Sequence, residues 1–148
     1  MTNANSLDLH LEEPGQAFYF YIQFDDQTKV PHYFISVCTN DEDHGDLLFV
    51  CCTSNVKSKR QRIASGKCPS ETIVVIPIGS YSELPLLTAI DCNSIIALTR
   101  DDLRIKFEEQ GSKIGFKLST EHLQSVRDGI HSSIAVERKI KRRILARN

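Results

Sequence analysis

The chain has 148 residues, 41% of them apolar and 25% charged, with a net charge of −1 at pH 7. That is room for one domain with a core of its own, and the composition is ordinary for a soluble globular protein. No stretch approaches the roughly 18 apolar residues of a membrane span, which excludes a helical membrane protein. The near-zero charge hides an asymmetry. Residues 1–50 carry nine acids and one base, Lys29, whereas residues 51–148 carry seventeen bases and ten acids, a balance of +7. The overall pI is therefore silent about partners, but the second part is able to meet an anion. The start, MTNANSLDLH, lacks the basic-then-apolar pattern of a signal peptide, so a cytoplasmic location is expected. Five cysteines without a C-x-x-C pair or histidine partner spacing read as reduced, mostly buried thiols, with no disulfide framework and no metal site.

In chain order, Met1–Glu13 is polar with a frayed start. Pro14-Gly15 marks a turn into the aromatic and β-branched run Ala17–Ile22, a strand. A polar connection, Gln23–Lys29, leads to a second strand, Pro31–Cys38, whose proline stands where a strand tolerates one. Thr39–Asp46 suits an acidic hairpin. Leu47–Cys52 (LLFVCC) is a short continuous apolar run, which predicts a strand buried on both faces. Thr53, Ser54 and Asn55 follow it, and then Lys57, Lys59, Arg60 and Arg62, within an excursion over 55–70 that is partly helical at most. A rigid strand that delivers hydroxyls and cations to one rim suits a phosphate. Thr72–Ile78 reads as a fourth strand ending at a sheet edge because of Pro77, and Ala89–Ala97 as a fifth.

Periodicity changes at Thr99. Thr99 with Asp102 is an acidic variant of the capping box and opens a helix running to about Glu109. Ser119-Thr120-Glu121 opens another, with Leu123, Val126, Ile130 and Ile134 at helical spacing. Ala135–Ala146 forms a last, basic one with Val136, Ile140 and Ile144 on one stripe. Strands first and helices last predict a mainly β fold, a small antiparallel barrel over residues 1–98 with an α-helical extension over 99–148. No Gly-rich phosphate loop, zinc-protease or nucleophile-elbow motif occurs. Cys51 or Cys52 with His32 and Asp91 can be drawn as a thiol triad, but a cysteine inside a buried apolar run reads as an inert core residue. His32 stands at a strand start near polar loops, where a histidine that titrates close to neutrality is useful. Asp91 is an acid inside an apolar strand and needs a partner.

In their order, these pieces resemble the MazF/PemK-type toxins of type II toxin–antitoxin systems. The resemblance covers about residues 12–98. It rests on Pro14-Gly15 leading into AFYFYI, a Pro-initiated second strand PHYFISV, a buried strand ending in Thr53-Ser54 before Val56-Lys57, and Thr88-Ala89-Ile90-Asp91 in a late strand. It is nearest to a divergent branch that carries a helical tail.

The resemblance implies an SH3-like barrel of the CcdB/Kid/MazF type that forms a homodimer. It also implies an endoribonuclease that cuts single-stranded RNA without metal or other cofactor, by attack of the 2′-hydroxyl on the adjacent phosphate, and an acidic antitoxin protein as partner. Carried over residue by residue, Thr53 is the family's catalytic hydroxyl and Asp91 its late-strand acid. The family's Arg-Pro is Val30-Pro31 here, so the main catalytic arginine is replaced. His32 is the expected acid/base beside that gap, with Lys29, Ser54, Lys57, Lys59 and Arg60 as RNA-binding groups. The competing expectation is a catalytically inactive barrel that binds nucleic acid or protein.

Overall fold

The computed structural model describes residues 4–22, 30–39 and 46–144. The expected hairpin near 39–46, the connection ending at Lys29 and the last residues of the basic segment lie wholly or partly outside them. Among the described residues, six strands form one antiparallel sheet: β1 (Gln16–Ile22), β2 (Val30–Cys38), β3 (Asp46–Thr53), β4 (Ile73–Ile76), β5 (Thr88–Thr99) and β6 (Lys113–Lys117). Their order is β4-β5-β3-β2-β1-β6, and the sheet curls into a half-barrel with β4 and β6 at its edges. β4 stops at Ile76, one residue short of Pro77, as an edge strand with a proline ahead of it should. Among the described residues no helix is long and apolar enough to cross a membrane.

The run LLFVCC is central because both of its faces are covered. Leu48, Val50 and Cys52 face one core with Ala17, Ile35, Ile76 and Ile90. That core is closed by Val126 and Ile130 of α4 (Thr120–Ser132), and by Ile144, the residue that ends α5 (Arg138–Arg143). Leu47 and Phe49 face a second core built from Phe18, Phe20 and Phe34. Phe20 stacks on Phe34 with ring centroids 4.3 Å apart, and Phe18 meets Phe49 edge-on at 5.9 Å. This core is closed by Leu7 of α1 (Ala4–His10), by Leu11 just after it, and by Leu103 of α3 (Arg100–Lys106). A strand with period-2 alternation shows one apolar face; burial on both faces explains the unbroken run.

Three elements differ from the sequence expectation. The polar N-terminal stretch contains α1, whose Leu7 is buried together with Leu11, the residue that follows the helix one turn on. The excursion after Thr53 is a full helix, α2 (Val56–Ala64), capped by Asn55, whose side-chain oxygen accepts from Ser58 N. The C-terminal third is not helical alone, because β6 lies beside β1. As expected, Thr99 and Asp102 form reciprocal capping bonds of 3.0 and 3.1 Å, and Ser119 caps α4. Ile134, expected on the α4 stripe, falls beyond the end of that helix and is 82% exposed.

Candidate functional site

Antiparallel pairing brings the start of β2 to the end of β3. Phe34 pairs with Cys51 and Ile35 with Val50; the same register continued sets His32 level with Thr53. On the other side of β3, Cys51 pairs with Asp91 of β5. Residues directly opposite in a sheet project to the same side. Farther along, Phe49 pairs with Ile96, so Cys92–Ile95 stand opposite Val50 alone. This wide irregularity ends the regular pairing just past Asp91 and re-aims the side chains around it. α2 then folds back over this end of the sheet. A cavity of about 300 Å³ results, walled by His32, Cys51, Thr53, Lys59 and Asp91, with Ser94 and Ile96.

Asp91 is the fixed point of the site. Its Oδ2 accepts from Lys59 Nζ at 2.9 Å and Arg62 Nη1 at 3.4 Å. Its Oδ1 accepts from the backbone N and the Nδ2 of Asn93 at 2.9 and 3.0 Å. Burial by itself pushes this carboxyl up. The Lys59 hydrogen bond, the Asn93 backbone N–H, the Lys59 charge and the Asn93 amide together outweigh burial and hold it below the usual carboxylate range. Asp91 is therefore held as a carboxylate with both oxygens engaged by neighbouring donors.

Asn93 is bonded on every side. Its Nδ2 also donates to Thr72 Oγ1 at 2.9 Å, and its Oδ1 accepts from Ser133 Oγ at 2.8 Å. Thr72 Oγ1 donates in turn to the Pro69 carbonyl, and Ser133 Oγ accepts from Ala135 N. Each hydroxyl donates once and accepts once, which fixes the orientation of the amide. A continuous polar chain thus runs from the cavity wall to the end of α4.

His32 Nδ1 lies 3.2 Å from the Cys52 carbonyl. A carbonyl only accepts, so Nδ1 carries the hydrogen, and the lone pair of the neutral ring is on Nε2. Thr53 Oγ1 accepts from Asn55 N at 3.1 Å, which leaves its O–H to donate elsewhere. The thiols take no part. Burial pushes Cys51 up to about 12, with Lys59 pulling it down and Asp91 pushing it further up. Cys52 is pushed up more strongly, again by burial. The Cys51 thiol donates to the Cys52 carbonyl, so no thiol–imidazole pair forms between Cys51 and His32.

Of the residues singled out from the sequence, His32, Thr53, Asp91 and Lys59 share this cavity. Ser54 lines an adjoining cleft, whereas Lys57 and Arg60 are exposed on α2, and Lys29 lies outside the described residues. Helical periodicity explains the split among the cations. Val56, Lys59 and Arg62 follow at intervals of three and form the inward stripe, while Lys57 and Arg60 turn outward. Arg62, which the sequence places among the cations after Thr53 without a role of its own, is a second partner of Asp91, a pairing that follows once 56–64 is helical; Asn93 carries no signal in the sequence.

The adjoining cleft, of about 160 Å³, shares the His32 and Thr53 walls and is otherwise largely apolar. Among the described residues no three His, Cys, Asp or Glu side chains cluster so as to hold a metal ion. No protein-family model matches this chain, and no curated protein does.

Proposed function

We propose that the chain is a metal-independent endoribonuclease of the MazF/PemK toxin kind, cutting single-stranded RNA by attack of a 2′-hydroxyl on its own 3′-phosphate. One observation carries this reading. Groups from four separate elements, His32 of β2, Thr53 of β3, Lys59 of α2 and Asp91 of β5, wall one cavity. They are the chemical set that an internal transesterification needs: a proton acceptor, a neutral donor and a held cation.

In this mechanism Nε2 of His32 takes the 2′ proton while O2′ bonds to phosphorus. Thr53 donates to a non-bridging oxygen. Lys59, fixed by Asp91, offsets the charge of the pentacovalent phosphorus; the departing O5′ takes a proton from water and leaves as a 5′-hydroxyl, and the proton held by His32 is returned to solvent. The other product is a 2′,3′-cyclic phosphate. The family's arginine has no counterpart at Val30; Lys59 and Arg62, delivered by α2, take over its charge from another element. Lysine lacks the bidentate fork of arginine, so a slower enzyme than an arginine-bearing one follows. The +7 balance of residues 51–148 suits an acidic antitoxin as the neutralising partner and RNA as the substrate of a homodimer.

The test is incubation of the purified protein with single-stranded RNA in EDTA, with analysis of the fragment ends. Fragments carrying 2′,3′-cyclic phosphate and 5′-hydroxyl ends are expected. His32→Ala and Thr53→Ala should each lower the rate by about 10²–10³ with an unchanged melting curve. RNA that binds but stays intact at every pH and salt concentration would replace this reading with that of a non-catalytic binding barrel.

A further inference from the structure

The sequence of α5, RKIKRR, puts five cations into six residues, and they are poorly placed for the helix itself. Arg138 and Lys139 stand in its first turn, where the helix dipole favours acids, and Arg138 and Arg142 repel each other one turn apart. Charges that the helix gains nothing from need another use.

The inner side of α5 is anchored to the body. Lys141 Nζ donates to the Ser133 carbonyl, Arg143 Nη2 donates to the Asp46 carbonyl at 2.6 Å, and His131 Nε2 donates to the Ile144 carbonyl. Ile140 packs against the core and Ile144 is buried in it. Arg138, Lys139 and Arg142 fall together on the remaining arc, about 100° wide at about 100° per residue, and all three are exposed. Among the described residues Arg138 and Arg142 have no ionic partner, and Lys139 has only Glu137, 3.9 Å away and itself exposed. A fixed helix thus holds three outward charges at set positions.

The chemistry of that arc selects the occupant. It holds no apolar side chain, so neither a partner's hydrophobic helix nor the acyl region of a bilayer finds a surface to bury there. Two of its cations are arginines, whose planar fork meets phosphate bidentately. Arg138 and Arg142 are displaced by about 6 Å along the axis, comparable with the step between neighbouring phosphates of an extended strand. A helix seated on the body by the rest of its circumference cannot enter the groove of a duplex.

We infer that the outward face of α5 is a backbone contact for single-stranded RNA, taking about three consecutive phosphates without regard to base. That the strand is RNA rests on the ribonuclease reading; the charge contact itself does not. α5 closes the core on the Leu48 and Val50 side of the sheet, whereas Cys51 and Ile96 of the cavity stand on the other. The strand therefore meets α5 away from the scissile bond, and the contact adds affinity and leaves the chemical step alone.

The experiment titrates the full chain into a fluorescent 2′-O-methyl RNA single strand, whose blocked 2′ oxygens prevent cleavage, and follows anisotropy from about 50 to 200 mM salt. The combined variant R138Q, K139Q, R142Q should keep the wild-type melting curve. It should weaken binding to every sequence alike and lower the slope of log K against log salt by about 2, three contacts at about 0.7 each. A matched variant, K106Q, K113Q, K117Q, loses the same charge from α3 and β6 and should keep the wild-type slope. With RNA that can be cut, the α5 variant should raise KM and leave kcat in place.

An unchanged slope in the α5 variant, or an equal fall in the matched one, would overturn the contact; fragments that still form would leave the nuclease standing. Binding that drops with the α5 charges in a protein that never cuts RNA would support the contact and count against the nuclease. A duplex bound as tightly as the single strand would overturn the single-strand contact. So would phosphatidylglycerol vesicles bound by the wild type and released by Ile134→Ser, since Ile134, 82% exposed ahead of the helix, is the side chain a bilayer would take. Wild-type protein that binds no strand at about 50 mM salt removes both readings.

Discussion

Asp91 owes its charge to what surrounds it. Both oxygens are engaged, by Lys59 and Arg62 on one side and Asn93 on the other, and the side chain is only 6% exposed. Its folded-state pKa lies below the ordinary value of about 3.9. A carboxyl lowered on folding contributes stability that is complete above the unfolded value, from about pH 5 upward. That stability is lost as pH falls through the lower folded value. Asp91→Asn removes the contribution and sets an amide donor against either the cations or the Asn93 donors, whichever way it turns. Lys59 and Arg62 keep partial access to water, so the expected loss is about 2–3 kcal/mol at pH 7, less than for a sealed pair. Urea unfolding between pH 3 and 7 checks this: the wild type should lose stability relative to the variant as the pH falls below about 4. Parallel curves would show that the carboxylate is not what holds the two cations.

At the scale of elements, α4 comes so close to the sheet that its Gly129 has no room for a methyl group. A Cβ there would meet the Glu71 carbonyl oxygen at 2.7 Å and the Cys92 Sγ at 2.9 Å. Alanine ordinarily stabilises a helix interior over glycine by about 1 kcal/mol. Here the clash is partly with backbone, and overpacking of this kind costs about 1–3 kcal/mol, so the sign reverses. Gly129→Ala should lower Tm by a few degrees in a thermal melt, and a raised Tm would show that α4 stands farther off. The glycine itself gave no such hint in the sequence, since nothing local says what the helix will meet.

The same limit runs through the other elements. LLFVCC, the two aromatic strands and the Thr99 cap were legible because the signals are local: a run, an alternation, a capping pair. α1 was hidden because only Leu7 and Leu11 mark its apolar face. β6 was hidden because KIGFK is five residues long and acquires its meaning only beside β1. The candidate site was half legible. His32, Thr53 and Asp91 lie 59 positions apart at most, and their convergence is a matter of register between β2, β3 and β5. Arg62 and Asn93 depend on a helix and a bulge that no short motif announces.

At the scale of the whole molecule, the C-terminal segment is part of the body that holds the cavity in shape. Val126, Ile130 and Ile144 are at most 1% exposed and cover the sheet face opposite α1 and α3. Removing everything after Leu118 strips three fully buried apolar side chains, about 1.5–3 kcal/mol each, and uncovers the residues beneath them. The sum is comparable with the 5–15 kcal/mol total of an ordinary domain, so the truncated chain should lose its cooperative melt and its near-UV dichroism.

Ser133→Ala is the finer probe, because it keeps the helices and cuts only the polar chain. Asn93 Oδ1 loses its donor in a buried setting, at a cost of about 1–3 kcal/mol. The released amide then holds Asp91, and through it Lys59, less firmly. If the cavity cuts RNA, the variant should fold and show a lower kcat, with KM changed little, since Lys59 acts most on the charge that develops at the phosphorus. Ser133→Thr, which restores a hydroxyl, should recover part of the rate. A kcat untouched by Ser133→Ala would confine the chain of hydrogen bonds to stability, and the helical segment would then be a cover for the sheet with no hold on the site.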